Sequence, residues 1–472
     1  MAAVDLNAEA LGVPRKQLME SSGNAVARAC RDLADPGASV AIVAGRGNNG
    51  GDALVAARFL TAYDVTVHLL GRPETISTDI ARENWDALVA GEADRRTVTD
   101  STAFDLGDPD LVVDAMLGTG VTGALREPEA TAARAVNESS AAVLAVDVPS
   151  GVDADTGDAA GLAVDADRVV TFHDDKPGLG DLDCEVVVAD IGIPEAAELF
   201  TGPGDLLALD RDAQSHKGDH GDVLVVGGGP YTGAPALAAQ SALRAGADLA
   251  RVACPEAVAR EVQGYSENLI VRGFSGDRLA PDHVPDLLDF AADRDAVVFG
   301  PGLGDADESL AAVREFLAAY DGTAVVDADA LQVVPEVDTE ATLICTPHQG
   351  ELQTMGGETD ADWEARSDLV RGFAADLGHT LLVKGAYDVV SDGDAVRVNR
   401  TGNPGMTVGG TGDVLAGATG ALAAVLPPLD AAAVAAYANG RAGDLAAEAF
   451  GGGLVATDLL ERLPAGLRGD EE

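Results

Sequence analysis

The sequence predicts an α/β protein of two domains built on doubly wound parallel sheets. Its 472 residues exceed the usual length of one domain. Short apolar runs alternate with helical segments, which is the pattern of such sheets. Glycine-rich or acidic motifs follow the strand-like runs at their carboxyl ends, where doubly wound sheets bind ligands. These motifs are therefore the candidate sites.

The composition is strongly acidic, with 79 Asp and Glu against 31 Lys and Arg and a net charge of −48. Such a surface repels nucleic acid and anionic membranes, so neither is expected as a partner. Only four lysines are present: Lys16, Lys176, Lys217 and Lys384. Acid excess with scarce lysine resembles the proteins of salt-accumulating halophiles, where concentrated salt screens self-repulsion.

The four cysteines, Cys30, Cys184, Cys254 and Cys345, are widely spaced and form no C-x-x-C pair. This favours reduced thiols over a metal or disulfide framework. There is no signal-peptide pattern and no uncharged apolar run of roughly 18 residues. The expectation is a soluble, cytoplasmic protein.

In the first half, a strand predicted at Val40–Ala44 runs into the glycine-rich stretch Gly45–Asp52, and a helix is predicted at Ala53–Leu60. This order opens a nucleotide-binding βαβ unit. The two asparagines of the turn carry carbonyls that can coordinate a cation. Further strands are expected at Val65–Leu70, Leu111–Asp114, Ala142–Val146, Val169–Phe172 and Val186–Ile191.

Acids stand at two later strand ends, Asp114 and Asp147, each followed by a motif rich in glycine or small polar residues. Taken alone, the carboxylate of either acid is more often a helix cap than a ligand. Three strand ends carrying Asn or Asp in one domain favour a shared site.

In this order the motifs resemble the NAD(P)H-hydrate epimerase domain of the YjeF N-terminal type, over about residues 10–200. The resemblance implies a Rossmann-like domain, acid–base catalysis by Asp147 at the altered ring, and K⁺ bound by Asn49, Asp114 and Ser150. The residues implied to hold the hydrated dinucleotide are Asn48, Asn49, Gly50, Gly51, Asp52, Gly118, Thr119, Gly120, Val121, Thr122, Gly123 and Ala124. Ala53 replaces a usual glycine, and the long acidic loop 173–178 leaves the role of Lys176 open.

A loop-like stretch, Phe200–Asp205, places the domain boundary near residue 205, giving domains 1–205 and 206–472. The second half ends in the turn Gly409–Asp413, followed by a helix at Val414–Leu426. Glycine N–H groups at a helix N-terminus suit phosphate. Asp413 could be a helix cap or a base beside that phosphate, with equal weight. Strands are expected at Asp222–Val226, Ala296–Phe299, Ala324–Asp327, Leu343–Cys345, Thr380–Val383 and Ala395–Val398.

Motifs at Lys217–Asp219, Tyr231–Pro235, Thr346–His348 and Asn403–Asp413 resemble the ADP/ATP-dependent NAD(P)H-hydrate dehydratase, the YjeF C-terminal type of the ribokinase-like superfamily, over roughly residues 210–465. Gln349 stands where proline is usual.

The dehydratase resemblance implies that Asp413 takes the substrate's hydroxyl proton while the nucleotide donates phosphate. It implies Mg²⁺ held by Glu351 through water, although Glu351 also reads as a helix-start acid. The residues implied to contact the hydrate are Ala234, Gly302, His348 and Asp413. Those implied to bind ADP or ATP are Lys384, Gly385, Ala386, Tyr387, Asp388, Asn403, Pro404, Gly405, Met406, Thr407, Val408, Gly409, Gly410, Thr411 and Gly412.

The sequence thus predicts bifunctional repair of hydrated NADH and NADPH by a homo-oligomer, through epimerisation and nucleotide-dependent dehydration. One alternative is a vitamin or sugar hydroxyl kinase on the same second fold. Another is a first domain that binds without turnover. The motifs at Tyr231–Pro235 and Thr346–His348 weigh against the kinase, and the set of Asn49, Asp114, Asp147 and Ser150 against the binding module.

Overall fold

The computed structural model describes residues 1–120, 123–209, 211 and 214–469. Val121 and Thr122, two predicted substrate residues, lie outside the described residues. The chain forms two compact units: an N-terminal unit, Leu11–Pro194, and a C-terminal unit that joins Met1–Ala10 to Glu195–Glu472.

The boundary was predicted near residue 205, give or take about ten residues. The compact units of the structure change at Pro194–Glu195. The first helix, α1 (Ala2–Ala10), belongs to the C-terminal unit. Its Asn7 Nδ2 donates a hydrogen bond to Ala197 O at 3.1 Å, and Asn7 Oδ1 accepts one from Gly204 N at 2.8 Å. These long-range bonds carry no signal in the local sequence pattern.

The N-terminal unit contains a seven-stranded parallel sheet in the order β3-β2-β1-β4-β5-β6-β7. Strand order reverses between β1 and β4, which is where such sheets bind ligands. The strands are β1 (Ser39–Ala44), β2 (Asp64–Leu70), β3 (Arg95–Val98), β4 (Leu111–Ala115), β5 (Ala142–Val146), β6 (Arg168–Phe172) and β7 (Glu185–Ala189), and the helices are α2 (Arg15–Leu33), α3 (Asn48–Phe59), α4 (Asp79–Ala90) and α5 (Glu129–Glu138).

The C-terminal unit contains a nine-stranded sheet in the order β10-β9-β8-β11-β12-β13-β14-β15-β16, parallel except where β15 pairs with β14 and β16. Its strand order reverses between β8 and β11. The strands are β8 (Asp222–Val226), β9 (Leu249–Pro255), β10 (Ile270–Phe274), β11 (Ala296–Phe299), β12 (Thr323–Val326), β13 (Thr342–Cys345), β14 (Thr380–Val383), β15 (Asp388–Ser391) and β16 (Val396–Asn399). The helices are α6 (Ala196–Leu199), α7 (Gly233–Arg244), α8 (Glu256–Gly264), α9 (Val284–Ala291), α10 (Asp307–Ala319), α11 (Gln349–Thr354), α12 (Trp363–Leu377), α13 (Thr411–Ala423), α14 (Pro428–Phe450) and α15 (Ala456–Arg468).

Close packing fixes helix α13, whose N-terminus carries the last glycine-rich turn. A Cβ at Gly417 would lie 1.9 Å from Ala238 O in α7, so only glycine allows this approach. Val414, Leu415 and Leu422 of α13 are buried in the apolar core on that side of the sheet. The direction of the helix is thus set by apolar packing that begins at Val414, directly after the glycine-rich turn.

The α/β fold class is confirmed, but several element bounds differ from the expectation. Helix α3 begins at Asn48 and not at Ala53, so the two asparagines belong to its first turn. Strands β3, β9, β10 and β15 were not predicted. No helix in the described part of the chain combines the length and apolarity needed to span a membrane.

Candidate active sites

The first site lies at the ends of β1 and β4 in the N-terminal unit. A Cβ on Gly45 would lie 1.9 Å from Met116 O, and one on Gly50 would lie 2.2 Å from Gly45 O. Side chains at these two positions would push the turn away from β4. Glycine therefore lets the start of α3 reach the residues that follow β4.

Asn49, Asp114 and Ser150 come together there as predicted. The fully buried Asp114 accepts hydrogen bonds from Ser150 N at 2.8 Å and Ser150 Oγ at 2.7 Å. Burial raises the pKa of Asp114 to about 6, against the lowering effect of these bonds. Asn49 Nδ2 donates to Leu117 O at 2.7 Å, while the buried Asn49 Oδ1 has no hydrogen-bond partner among the described residues.

Asp147 stands beside this cluster. Its backbone φ of 65° lies in the left-handed region, which turns the chain sharply after β5. A Cβ on Gly118 would lie 3.4 Å from the Asn49 Cβ and 3.5 Å from Asp147 Oδ2, so the three residues meet. Thr171 Oγ1 donates to Asp147 Oδ1 at 3.1 Å.

Lys176, whose role the sequence left open, also faces Asp147. Its Nζ lies 3.6 Å from Asp147 Oδ1, and the residue is only 7% exposed. The same ammonium donates to Phe172 O at 2.9 Å and Asp174 O at 2.8 Å. The long acidic loop thus keeps a lysine at the site, because one carbonyl of the loop, Asp174 O, and one at the end of β6, Phe172 O, hold the ammonium in place.

The residues predicted to bind the dinucleotide differ in their exposure to solvent. Gly50, Gly51 and Asp52 are buried, since α3 turns into the interior after its first two residues. Asn48 remains exposed, and Gly118 is partly exposed. The exposed members after β4 are Thr119, Gly120, Gly123 and Ala124.

The second site lies at the N-terminus of α13 in the C-terminal unit. The helix is preceded by Gly410 in a left-handed conformation with φ 98°, and no side chain caps it there. Asp413 is half-buried in the first turn, and no described residue donates a hydrogen bond to its carboxylate. Burial raises the pKa of Asp413 to about 7; Asp327 and Glu351 act in the same direction, and Lys384 opposes them.

Lys384 is the cation of this site. Its Nζ lies 2.9 Å from Asp327 Oδ1 and 3.7 Å from Glu351 Oε2, and a Cβ on Gly412 would be 3.4 Å from the same Nζ. Burial opposes the charge, but the two carboxylates outweigh it and hold the pKa of Lys384 above its usual value. Thr346 Oγ1 donates to Asp327 Oδ1 at 2.7 Å.

Asp327 was not among the predicted site residues. Its signal in the sequence was an acid directly after β12, the same signal that singled out Asp114 and Asp147. The residues that follow β11 and β12 approach each other closely there, because a Cβ on Gly300 would lie 1.9 Å from Asp327 O. Nothing in the sequence paired Asp327 with the lysine after β14, since the two are brought together only by the neighbouring strands.

Glu351 and His348 form a reciprocal cap at the start of α11. Glu351 Oε2 accepts from His348 N at 2.7 Å, and His348 Nδ1 accepts from Glu351 N at 3.0 Å. The helix-start interpretation of Glu351 is therefore correct. The His348 side chain is 60% exposed, so it can still face a ligand.

Ala234 and Gly302 also meet, since a Cβ on Gly302 would lie 3.2 Å from the Ala234 Cβ and 2.4 Å from Tyr231 O. Gly302 itself is buried, and its φ of 75° favours glycine. Its main effect is to let the turn before α7 approach β11.

Much of the predicted nucleotide segment supports the turn. Asn403 donates to Asp444 Oδ1 at 3.1 Å and accepts from Gly405 N at 3.0 Å. Thr411 Oγ1 donates to Met406 O at 2.8 Å. A Cβ placed on Gly409 would meet no described atom within 4 Å, so the space in front of this glycine is open.

In the other predicted nucleotide segment, Gly385, Ala386 and Tyr387 are exposed. Asp388 is the first residue of β15 and accepts from Gly385 N and Asn399 Nδ2, both at 2.9 Å. Burial raises the pKa of Asp388 to about 6. Its carboxylate therefore closes the loop after β14.

Among the described residues, no group of three or more His, Cys, Asp or Glu side chains is arranged to hold a metal ion.

The two sites define an enzyme with two α/β units. The C-terminal unit carries a glycine-rich turn suited to binding phosphate, with Asp413 and Lys384 beside it. A solved structure of a ribokinase-like superfamily protein from Enterococcus faecalis is similar at a TM-score of 0.50 and 23% identity, covering 57% of this chain and 95% of that chain. This similarity supports the fold of the C-terminal unit.

Residues 15–178 match the family model of the YjeF-related protein N-terminus, and residues 223–465 match that of NAD(P)H-hydrate dehydratase. Bifunctional NAD(P)H-hydrate repair enzymes are similar along the whole chain. That of Pyrobaculum aerophilum is 45% identical, covering 99% of this chain and 97% of its own. That of Methanothermobacter thermautotrophicus is 43% identical, covering 98% and 94%. The chain belongs to this family and joins an NAD(P)H-hydrate epimerase to an NAD(P)H-hydrate dehydratase.

Proposed function

We propose that the C-terminal unit restores NADH or NADPH from the S epimer of the hydrate by nucleotide-dependent phosphorylation and elimination, with Asp413 as the base. The observation that carries this proposal is the carboxylate of Asp413. It is half-buried at the start of α13, has a pKa near 7, and accepts no hydrogen bond from the described residues. A base that works near neutral pH needs a pKa in this range.

The hydrate carries a hydroxyl on its reduced ring, and hydroxide is a poor leaving group. Asp413 accepts the hydroxyl proton while the hydroxyl oxygen attacks the terminal phosphoryl group of ADP or ATP. The bond from that phosphorus to the rest of the nucleotide breaks, and AMP or ADP leaves. The lone pair of the ring nitrogen then expels phosphate by cleavage of the carbon–oxygen bond. Loss of a proton from the adjacent ring carbon restores the double bond of NADH or NADPH.

The surroundings of Asp413 suit phosphoryl transfer. The N–H groups of the turn Gly409–Gly412 and the positive end of α13 stabilise phosphate oxygens. The Lys384 ammonium lies next to Gly412, where it balances the developing negative charge. Asp327 and Thr346 hold that ammonium in position.

Magnesium is the cation expected with a nucleotide, and it usually keeps several of its waters. Glu351 fits a water-mediated contact. Its Oε2 accepts the hydrogen bond of the helix cap, while its Oε1 lies 3.6 Å from His348 Nε2 and is not used by that cap. When bound, the ion would neutralise phosphate charge. We assign Glu351 this role within the proposal.

For the N-terminal unit we propose that Asp147 moves the proton that interconverts the R and S epimers. Lys176, 3.6 Å away, orients the carboxylate and offsets its charge. K⁺ fits the neighbouring cluster of Asn49, Asp114 and Ser150. The Asn49 oxygen, which has no hydrogen-bond partner in the part of the chain that the structure describes, and the buried Asp114 carboxylate are both groups that a cation would satisfy.

Replacing Asn49 by alanine tests the potassium assignment. We expect wild-type epimerisation to fall when K⁺ is exchanged for a large organic cation. The Asn49→Ala protein should be roughly 10- to 100-fold slower and insensitive to that exchange. Asn137→Ala, an exposed asparagine of the same unit, serves as the matched control. An Asn49→Ala protein that kept the wild-type rate and response to K⁺ would remove the assignment.

The overall proposal is tested with purified R and S epimers of hydrated NADH, with ADP, ATP or no nucleotide. Absorbance of restored NADH and release of phosphate are followed together. Without nucleotide we expect the epimers to interconvert while the total amount of hydrate stays constant. With nucleotide we expect the total hydrate to be consumed, with equal amounts of NADH and phosphate formed. A stable phosphorylated product without free phosphate would instead support the hydroxyl-kinase alternative.

Four further expectations remain part of the proposal. They are a homo-oligomeric assembly, a cytoplasmic location, absence of nucleic-acid and membrane partners, and a halophilic origin. The charge of −48 is the observation that supports the last two.

A further inference from the structure

Two exposed arginines follow neighbouring strands of the N-terminal unit, Arg46 after β1 and Arg72 after β2. The Arg46 side chain lies against the residue that precedes Arg72, because a Cβ on Gly71 would be 2.8 Å from Arg46 Cδ and 3.0 Å from its Nε. Gly71 also has a φ of 116°, which favours glycine. The pairing of β1 with β2 thus brings the two arginines to one place on the edge of the sheet.

Hydrogen bonds fix the backbone around this pair of arginines. Arg46 Nη1 donates to Thr75 Oγ1 at 3.2 Å, and Thr75 Oγ1 donates to Arg72 O at 2.7 Å. Arg46 O accepts from Ser77 N at 2.8 Å and from Ser77 Oγ at 3.0 Å. Arg82 of α4 donates to three backbone carbonyls of the connection between β2 and α4. The connection is therefore held in place while both arginines stay exposed.

The charges of the two arginines are not neutralised by nearby acids. Acids outnumber bases by 79 to 31 in this chain, yet in the part that the structure describes no carboxylate forms an ion pair with Arg46 or Arg72. Two such guanidinium groups on a strongly negative protein attract an anion. Their planar forks match the oxygens of a phosphate, which they can bind through two hydrogen bonds at once.

The turn that carries Arg46 is also suited to a pyrophosphate. Gly45, Gly47 and Gly50 have the spacing G-x-G-x-x-G between β1 and α3. A Cβ on Gly47 would meet no described atom within 4 Å, and no side chain caps α3, so its N-terminus is open to phosphate. In units of this kind the adenosine ribose lies at the end of the second strand, about 20 residues further on, where an acid binds a free 2′-hydroxyl or an arginine binds a 2′-phosphate.

The order of the strands places this ribose position opposite the altered ring. Asp147 follows β5 and Arg72 follows β2, with β1 and β4 between these two strands. Three strand spacings of roughly 4.8 Å separate the two ends by about 14 Å. A dinucleotide whose altered ring lies at Asp147 and whose pyrophosphate lies on the turn after β1 therefore directs its adenosine ribose to the end of β2.

We propose that Arg46 and Arg72 bind the 2′-phosphate of the hydrated dinucleotide and make the epimerase unit prefer hydrated NADPH to hydrated NADH. This inference rests on the proposed epimerisation at Asp147. The two arginines are specificity residues and take no part in proton transfer.

The test measures epimer exchange by the full-length protein in the absence of ADP and ATP, so that no hydrate is removed by dehydration. We expect the wild-type KM for hydrated NADPH to be about 10- to 100-fold below that for hydrated NADH, because charge-assisted bonds to the 2′-phosphate are made only by the former. The double variant Arg46→Gln/Arg72→Gln should lose this difference through a higher KM for hydrated NADPH. Its kcat and its KM for hydrated NADH should stay unchanged, and each single variant should lose part of the difference.

Inhibition gives a second measurement that does not depend on the hydrates' own affinities. Adenosine 2′,5′-bisphosphate should inhibit wild-type exchange more strongly than AMP, and the double variant should no longer distinguish the two. Arg134→Gln removes another exposed arginine of the same unit and serves as the matched control. It should keep the preference for hydrated NADPH and the stronger inhibition by the bisphosphate.

Equal wild-type KM values for the two hydrates, or a preference that survives in the double variant, would overturn the inference while epimerisation itself continued. A Glu74→Gln protein with a raised KM for hydrated NADH alone would also overturn it, since an acid would then recognise the 2′-hydroxyl. Failure of the proposed function reads out differently, because the wild-type protein would exchange neither hydrate. Calorimetric titration with adenosine 2′,5′-bisphosphate, compared between the wild-type protein and the double variant, would still show whether the two arginines bind a 2′-phosphate.

Discussion

Replacing Asp413 by asparagine should abolish dehydration and spare epimerisation. The change keeps the size of the side chain but removes the carboxylate that is proposed to accept the hydroxyl proton in the first turn of α13. Loss of a positioned general base lowers the rate by about 10²- to 10⁴-fold. The measurement is NADH formation from the S epimer with ATP, alongside epimer exchange in the same preparation.

The same substitution should not lower the melting temperature. The raised pKa of Asp413 means that burial and the neighbouring carboxylates disfavour its charged form in the folded protein. Removing that charge relieves an unfavourable interaction, so reduced activity cannot be ascribed to unfolding. Asp307→Asn, an exposed acid in the first turn of α10, is the matched control and should keep full activity.

The pH dependence of the wild-type rate follows from the same group. Asp413 accepts a proton only when ionised, and its pKa is about 7. Dehydration should therefore rise through pH 7, with a rate about tenfold higher at pH 8 than at pH 6. Two results would contradict the role of Asp413 as the base. One is a dehydration rate in the Asp413→Asn protein equal to that of the wild-type protein, and the other is a wild-type rate that falls between pH 6 and pH 8.

Replacing Asp147 by asparagine should abolish epimerisation and leave dehydration of the S epimer intact. Asparagine tolerates the left-handed backbone at this position, where φ is 65°, so the turn after β5 is preserved. The Thr171 hydroxyl can still donate to the amide oxygen, but the proton acceptor is lost. We expect a fall of about 10²- to 10⁴-fold in exchange between the epimers.

In this variant the conversion of the R epimer to the S epimer should be slow. Only the S fraction of a mixture of the two epimers should therefore be restored to NADH. Asp190→Asn is the control, because Asp190 also follows a strand of the same unit, β7. Continued epimer exchange in the Asp147→Asn protein would show that Asp147 is not the proton carrier. It would favour the alternative in which the N-terminal unit only binds its ligand.

The candidate sites were predictable to the extent that they lie at strand ends. Asn49, Asp114, Asp147 and Ser150 were all predicted, because apolar strands followed by short polar motifs identify the carboxyl edge of a parallel sheet. Lys384 and Asp413 stood out in the same way. Within these motifs the sequence does not reveal which residues turn inward, and the burial of Gly50–Asp52 became visible only in the structure.

Contacts between distant segments were not predictable. The pairing of Lys384 with Asp327 depends on β12, β13 and β14 lying side by side in the sheet. The stack of Tyr387 on Trp363 depends on where α12 packs, and the place of Asn7 depends on α1 joining the C-terminal unit.

The sequence by itself determined the α/β class and the strand ends that carry the polar motifs, and the resemblance of those motifs to a known family implied the two activities. The class follows from local alternation of apolar and polar residues, and the strand ends from the glycines and acids that follow the apolar runs. The tertiary structure decided where one unit gives way to the other, which acid pairs with which lysine, and which aromatic rings stack on each other. Such relations join segments far apart in the chain, and only packing brings them within the few ångströms over which hydrogen bonds, ion pairs and ring contacts act.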